Sequence, residues 1–180
     1  LLHRARLQAG ERVLITGASG GVGSAAVQLA NVRGAEVVAM TNPNKAAQLR
    51  HLGARQTLMR DENPVSSLGK DSIDVVIDLV AGPGFPKLLE VLRPGGRYGV
   101  SGAIGGPLVE LDVRTLYLKD LSLFGCTVLD PQVFPSLIGH IEQGRIQPLI
   151  ARTFPLEEIA EAQKLFLEKQ HVGKLVLTVG

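Results

Sequence analysis

The sequence predicts an α/β fold built on a doubly wound, parallel sheet of six strands. Six short apolar runs alternate along the chain with segments of helical pattern. These runs are apolar almost throughout, rather than at every second residue, which is typical of parallel strands covered on both faces. A glycine-rich turn joins the first run to the first helical segment, as in folds that bind a ligand beyond the carboxyl ends of their strands.

The predicted elements alternate in a β-α-β-α order. In chain order, the predicted strands cover residues 12–16, 36–41, 56–59, 73–80, 97–101 and 121–128. The helices that follow from the patterns between and after them cover residues 22–32, 43–52, 85–92 and 132–143. A further amphipathic helix over residues 157–168 and a strand over 174–179 lie beyond the complete set of six strands, so we expect this tail to belong to another domain.

Turn-forming residues set the ends of these elements. Gly34 stands just past the first helix and predicts its end. Asn42 and Pro43 form a cap followed by proline in the first helical turn, and Gly53 closes the same helix. The carboxylates of Asp74 and Asp78 stand at opposite ends of the fourth strand, where we interpret them as caps rather than as a pair for proton transfer.

Composition excludes several classes of function. The chain of 180 residues has a net charge of +2 from scattered basic residues, and only 4% of its residues are aromatic. It therefore has neither a basic stripe nor a platform for stacking bases, which argues against a nucleic-acid partner. The single cysteine, Cys126, excludes an internal disulfide and a Cys-pair zinc motif, and its apolar surroundings predict a small buried side chain. No signal peptide or apolar run of membrane length is visible in the sequence, which predicts a cytoplasmic protein without a membrane partner.

The turn after the first strand carries the strongest functional signal. Residues 13–23 read VLITGASGGVG and lead directly into a helical pattern. Gly20 lets the backbone approach a phosphate group, and Gly23 lets the helix pack closely on the strand. The motif departs from the form G-x-G-x-x-G at its first position, where Ala18 stands. A strand, a glycine turn and a helix start in this order predict a site for a dinucleotide pyrophosphate, with a merely tight turn as the alternative.

The end of the second strand favours NADP over NAD. An NAD site usually places Asp or Glu there, to bind the ribose 2′-hydroxyl. This chain instead has Thr41, Asn42 and Lys45, which can bind a 2′-phosphate that a carboxylate would repel. Arg60, after the third strand, could add a second charge or face the adenine. The alternative is that Asn42 only caps a helix and that both basic side chains are solvated.

The glycine motif also fits short-chain dehydrogenases, whose chemistry needs a Tyr with a Lys four residues later. The two tyrosines, Tyr98 and Tyr117, are followed at that spacing by Gly102 and Leu121. The sequence therefore argues against a short-chain dehydrogenase.

The whole chain resembles the medium-chain dehydrogenase/reductase superfamily, especially its quinone oxidoreductase-like members. The resemblance rests on five segments: residues 8–23 (QAGERVLITGASGGVG), 52–54 (LGA), 92–97 (LRPGGR), 154–156 (FPL) and 171–177 (HVGKLVL). It implies a Rossmann cofactor domain over residues 1–147. Residues 148–180 would be a return segment of a catalytic domain that precedes this chain, and a start at Leu1 without Met fits a piece cut from a longer protein.

The resemblance also implies site residues and a reaction. Gly20, Gly21, Val22 and Gly23 would line the pyrophosphate, and Thr41, Asn42 and Lys45 would hold the 2′-phosphate. Val80, Ser101, Gly102 and Ala103 would flank the nicotinamide half, and Phe124 and Gly125 could approach its carboxamide. Relatives often carry a Tyr at the adenosine end where this chain has Met59. The implied reaction is hydride transfer from NADPH to a quinone, enone or other carbonyl compound, with polarising groups from the upstream domain and little turnover by this chain alone.

Two other functions remain open at this point. One is the cofactor domain of a zinc-dependent alcohol dehydrogenase, whose zinc ligands would lie upstream, and the other is a nucleotide-binding module without turnover. Within this chain we expect no metal site, because His3, His51, His140 and His171 are dispersed and read as surface or helix histidines. We also expect a homodimer through the sixth strand, residues 121–128, because exposed sheet edges invite pairing.

Overall fold

Six parallel strands form the main sheet of the protein. The computed structural model describes residues 1–128 and 130–180. The strands in this sheet are β1 (Arg12–Ile15), β2 (Glu36–Thr41), β3 (Ala54–Met59), β4 (Ile73–Asp78), β5 (Leu92–Val100) and β6 (Ser122–Gly125). They lie in the order β3-β2-β1-β4-β5-β6, and every neighbouring pair is parallel. The prediction of a doubly wound parallel sheet is confirmed.

The helices are short, and most follow a strand. They are α1 (Gly21–Val32), α2 (Ala46–His51), α3 (Pro64–Leu68), α4 (Phe85–Val91), α5 (Val113–Leu118), α6 (Val133–Glu142) and α7 (Ile159–Glu168), with 3₁₀ turns at Pro43–Lys45, Gly82–Gly84 and Leu156–Glu158. Within the part of the chain that the structure describes, none of these helices has the length and apolar character needed to span a bilayer.

Each face of the sheet carries its own apolar core. Val13 and Ile15 point to a cluster that includes helix α1, whereas Leu14 points to the opposite cluster, which includes helix α4. All three side chains are fully buried. The near-continuous apolar character of β1 and β4 therefore reflects burial on both faces, as expected for central strands of a parallel sheet.

Several element boundaries differ from the sequence prediction. Strand β4 ends at Asp78 instead of residue 80, because the Asp78 carboxylate accepts the backbone amides of Val80 and Ala81 and turns the chain. Strand β6 covers only Ser122–Gly125 of the predicted 121–128. The short helices α3 and α5 were not predicted, since segments of five and six residues carry too little periodicity to detect.

A second, smaller sheet completes the chain. Strands β7 (Ile150–Pro155) and β8 (Lys174–Thr178) pair in parallel, with helix α7 between them in sequence. This segment is tied to the main sheet's helices and turns by hydrogen bonds. The Gln28 side chain bonds both backbone groups of Gln147, at 3.0 and 2.8 Å, and the Gly173 amide donates to the Ser19 carbonyl at 3.2 Å. The C-terminal segment is therefore packed beside the glycine turn.

Candidate functional site

A cleft of about 720 Å³ opens at the carboxyl ends of the strands of the main sheet. The strand order reverses between β1 and β4, and this reversal is where doubly wound folds bind their ligands. Four parts of the chain form its walls: the glycine turn, the end of β2 with the turn after β3, the loops after β4 and β5, and the end of α7. The lining residues used below are Gly20, Gly21, Val22, Gly23, Thr41, Asn42, Lys45, Arg60, Val80, Ser101, Gly102, Ala103, Phe166, Lys169, His171 and Gly173.

The glycine turn presents the amino end of α1 to this cleft. Gly20 is the residue before α1, and no side chain in the described structure caps the first turn of that helix. Its first amides therefore have no partner within the helix and can bind an anion. A Cβ at Gly23 would lie 2.3 Å from the Gly17 carbonyl oxygen, so only glycine allows the helix to approach the turn this closely.

The end of β2 forms a basic corner of the cleft. Thr41 is buried, and its Oγ1 has no hydrogen-bond partner within residues 1–128 and 130–180. Lys45 is only 6% exposed, and its Nζ donates to the backbone carbonyl of Lys169. Burial lowers the pKa of Lys45, and the nearby charges of Arg60 and Lys169 lower it further. A polar hydroxyl and a poorly solvated cation thus face the same space.

Acidic side chains also border this corner. Asp61 and Glu62, in the turn after β3, line the cleft. Glu62 is engaged within its own turn, where it accepts the Met59 amide at 3.0 Å and the Ser67 hydroxyl. These two hydrogen bonds lower the Glu62 pKa, so the carboxylate holds its turn in place.

The C-terminal segment supplies a wall that the sequence did not predict. Phe166, Lys169, His171 and Gly173 line the cleft from the end of α7 to the start of β8. The Lys169 ammonium lies 3.5 Å from the centre of the Phe166 ring. His171, expected at the surface or in a helix, is instead a partly buried loop residue on this wall. No periodic pattern marks these residues, since a long-range contact places them here.

A buried hydrogen-bond group organises the turn after β4. Asp78 is fully buried and accepts the Thr16 hydroxyl at 2.5 Å and the Tyr98 hydroxyl at 2.6 Å. It also accepts the amides of Val80 at 2.9 Å and Ala81 at 3.0 Å. Burial raises the pKa of Tyr98, and its hydrogen bond to the Asp78 carboxylate raises it further. Asp78 thus caps the strand end, as the sequence indicated.

The loops after β4 and β5 pack against each other to form one wall. The Ser101 amide donates to the Asp78 carbonyl at 3.1 Å, and the Gly105 amide donates to the Val80 carbonyl at 2.7 Å. Gly82 has φ +75°, and a Cβ there would lie 2.3 Å from the Gly105 carbonyl oxygen. This contact brings Val80 together with Ser101, Gly102 and Ala103, the group named from the sequence.

Two of the residues named from the sequence lie elsewhere. Phe124 and Gly125 are in the edge strand β6 and are not among the residues that line the cleft. Phe124 is partly buried and Gly125 is exposed. Twelve predicted residues therefore meet at one cleft, from Gly20 to Ala103, while these two stand apart.

The described residues 1–128 and 130–180 contain no group of three or more His, Cys, Asp or Glu side chains arranged to hold a metal ion. Cys126 is buried, and its thiol donates a weak hydrogen bond to the Phe124 carbonyl, at 3.6 Å.

Comparison with known proteins places the chain in a family. Residues 21–143 match the family model described as zinc-binding dehydrogenase. The chain is 35% identical over 179 residues to acryloyl-coenzyme A reductase of Metallosphaera sedula, and covers 53% of that protein. It is 32% identical over 190 residues to quinone oxidoreductase of Pongo abelii, and covers 57% of it. The alignments take in 98% of this chain in both cases, so the chain spans about half the length of the curated relatives it matches.

Solved structures share the same fold over nearly the whole chain. A Sinorhizobium meliloti protein, provisionally described as an alcohol dehydrogenase, superposes with a TM-score of 0.92 at 47% identity, over 98% of this chain and 50% of that one. The 2-octenoyl-CoA carboxylase reductase CinF, in complex with NADP and 2-octenoyl-CoA, gives a TM-score of 0.85 at 28% identity, over 96% of this chain and 44% of that one.

Proposed function

This chain belongs to the zinc-binding dehydrogenase family of the medium-chain dehydrogenase/reductase superfamily, and we propose that it is the NADPH-binding domain of an oxidoreductase. The parent enzyme would transfer a hydride to a quinone, an enone or another polarised carbonyl compound. The names of the relatives support this class, since they include a quinone oxidoreductase and an acryloyl-coenzyme A reductase.

One observation carries the proposal: a single cleft at the reversal of the strand order contains both an anion-binding turn and a basic corner. The open amides at the start of α1 suit the pyrophosphate. Thr41, Asn42 and Lys45 then suit the adenosine ribose and its phosphate, one strand away. The wall formed by Val80 and residues 101–103 would take the nicotinamide half.

Preference for NADPH over NADH follows from the basic corner. No acid stands at the end of β2 to bind a ribose 2′-hydroxyl, and the buried Thr41 hydroxyl has no hydrogen-bond partner among the described residues. None of the ion pairs among the described residues includes Lys45, so its charge is available to a phosphate. Arg60 adds a second cation at the same corner.

Bound NADPH would supply the hydride, and this chain would orient the ring that carries it. The Asp78 hydrogen bonds and the contact of Gly82 with Gly105 hold the nicotinamide wall in one shape. We assign no polarising or proton-donating residue within the chain. Such groups would come from a catalytic domain outside residues 1–147, with residues 148–180 as its return segment, and the chain alone would then bind cofactor with little turnover.

Calorimetric titration with NADPH and NADH tests the proposal. NADPH is expected to bind more tightly than NADH. Lys45→Gln should weaken the affinity for NADPH by about 10- to 100-fold, as expected for loss of a charged hydrogen bond, and should change the affinity for NADH little. Lys70→Gln is the matched control, because Lys70 is an exposed lysine before the amino end of β4, at the opposite end of the sheet. Tighter binding of NADH, or an equal effect of Lys45→Gln on both cofactors, would overturn the cofactor assignment.

A zinc-dependent alcohol dehydrogenase is the second candidate for the parent enzyme. It is favoured by the match of residues 21–143 to the family model described as zinc-binding dehydrogenase, together with the 47% identity to the Sinorhizobium meliloti protein described as an alcohol dehydrogenase. Metal analysis of the full-length enzyme, together with turnover of an alcohol panel against a quinone and enone panel, separates the two. Stoichiometric zinc with alcohol oxidation would select the dehydrogenase, whereas a protein that binds NADPH and turns over neither panel would be a nucleotide-binding module.

We further propose that the protein is a cytoplasmic homodimer that pairs through the edge strand β6. Leu123 in this strand is 38% exposed at the end of the sheet order, which supports pairing with a second copy. Light scattering over a wide concentration range checks it, and a monomer at every concentration would remove the dimer from the proposal. Fractionation of cells checks the compartment.

A further inference from the structure

The wall formed by the end of α7 faces the basic corner and is bound to it. The Lys45 Nζ donates to the Lys169 carbonyl, and the Asn44 side chain lies 3.3 Å from the Gln170 side chain. The turn after β2 and the residues after α7 therefore form one structural unit. Thr41, Asn42 and Lys45 therefore line the same cleft as Lys169 and His171.

His171 is the titratable residue of that wall. Its Nδ1 is buried and has no hydrogen-bond partner within residues 1–128 and 130–180. The imidazole lies 5.9 Å from the Phe166 ring, measured between ring centres. A buried ring nitrogen without a partner is costly, and it is the type of group that a ligand or a proton can satisfy.

Positive charge surrounds this imidazole. The charges of Lys45, in the turn after β2, and of Lys169, after the end of α7, both act on it. Arg60 lies on the same cleft, as do the acidic residues Asp61 and Glu62 of the turn after β3, while Lys174 follows at the start of β8. Burial lowers the pKa of His171, and the charges of Lys45 and Lys169 lower it further. Both effects favour the neutral imidazole over the imidazolium.

Resting on the proposed function, we propose that His171 takes up a proton when the 2′-phosphate of NADPH binds at the basic corner. A phosphate with a second pKa of about 6 is mostly a dianion at pH 7. Its charge offsets that of Lys45 and Lys169, so the imidazolium becomes favourable in the complex. The proton comes from the solvent and stays on the ring. NADH carries no such group and leaves His171 neutral.

The direction of the pH dependence follows from this. His171 has a higher pKa in the complex than in the free protein, so its contribution to binding is present at low pH. That contribution is lost as pH rises through the pKa of the complex. A rise of about one unit in the pKa on binding corresponds to about tenfold tighter binding below the pKa of the free protein.

Titration calorimetry at pH 7, in two buffers of different ionisation enthalpy, measures the protons taken up. The probes are NADPH, adenosine 2′,5′-bisphosphate and AMP, and the variants are His171→Gln and the control His51→Gln, whose residue is exposed at the end of α2. Wild type and His51→Gln should take up protons with NADPH and the bisphosphate but not with AMP. His171→Gln should lose this uptake and the rise in affinity from pH 8 to pH 6.5.

The outcomes separate the two proposals. Binding of NADPH with the same proton count in His171→Gln as in wild type would overturn the role of His171 and leave the proposed function intact. A failure of both NADPH and the bisphosphate to bind would overturn both. A weaker affinity in His171→Gln with unchanged proton count would assign His171 a packing role instead, which also overturns the proton uptake.

Discussion

Replacing Tyr98 by Phe deletes one hydroxyl from the buried hydrogen-bond group around Asp78. Tyr98 is 3% exposed, and its hydroxyl makes the only hydrogen bond to Oδ2 of Asp78 among the described residues, at 2.6 Å. The ring itself packs edge-on against Phe85, with centres 5.2 Å apart, and this contact survives in the variant. The substitution therefore isolates the hydroxyl from the packing.

The structure sets the size of the effect. A hydrogen bond to a charged group contributes about 1.5–3 kcal/mol, and the carboxylate oxygen left behind is fully buried. We therefore expect Tyr98→Phe to lower the free energy of unfolding by about 2 kcal/mol. The same hydroxyl helps to hold the turn at Val80 through Asp78, so NADPH affinity should fall with it.

Chemical unfolding followed by far-UV circular dichroism measures this loss. Tyr117→Phe is the control, because Tyr117 is 60% exposed on α5 and its substitution should change the free energy of unfolding by less than about 0.5 kcal/mol. Equal effects of the two substitutions would refute the account of the Asp78 group.

The pH dependence gives a second readout on the same pair of proteins. Burial and the bond to Asp78 keep the Tyr98 pKa raised in the folded protein, whereas an unfolded tyrosine ionises near pH 10. Tyr98 therefore stabilises the fold below that pH, and its contribution falls by about 1.4 kcal/mol per pH unit above it. Tyr98→Phe lacks this loss, so the difference in the free energy of unfolding between wild type and Tyr98→Phe should narrow between pH 9 and pH 11. A constant difference would contradict the raised pKa.

Two further substitutions test other parts of the molecule. Gly23→Ala places a Cβ 2.3 Å from a backbone carbonyl oxygen, and NADPH binding measured by calorimetry should weaken at least about tenfold. Gly139→Ala, on α6, is the control: its Cβ would lie 4.0 Å from the nearest atom, so binding should not change. Burial acts to raise the pKa of Asp74, but hydrogen bonds from the Arg12 amide and the Arg93 side chain lower it below its ordinary value. The Asp74 carboxylate therefore stabilises the fold above pH 4, and this contribution is lost as the pH falls. Asp74→Asn should be less stable than wild type at pH 7 and should lose less stability from pH 5 to pH 3 in the same unfolding assay.

The sequence predicted the sheet because strands that are buried on both faces need apolar side chains at most positions. Strands β1, β2 and β4 are mostly apolar, so their positions follow from composition within a few residues. Strand β7 was missed because most of its residues are exposed, so it has no continuous apolar pattern. The start of β5 at Leu92 was missed for another reason: the register with β4 shifts between Ile73 and Val75, which lets the segment 92–96 join the sheet.

Local motifs located one side of the cleft, and long-range contacts built the other. The glycine turn and the end of β2 could be found because each depends on a few adjacent residues. The wall at Phe166, Lys169 and His171 depends on a left-handed residue, Lys169 at φ +55°, that turns the chain back after α7. Nothing in a helical pattern predicts that Lys169 will meet Lys45, more than a hundred residues earlier in the chain.

The partner of Lys45 explains why the basic corner is suited to an anion. A buried lysine bonded to a carboxylate would have its charge neutralised inside the protein, and an incoming phosphate would gain little from it. Lys45 is instead satisfied by a backbone carbonyl, which supports the ammonium but carries no net charge. Its lowered pKa reflects the free-energy cost of holding that charge in a buried place beside Arg60 and Lys169. A bound 2′-phosphate would offset part of that cost, so the burial of Lys45 favours an anionic ligand over a neutral one.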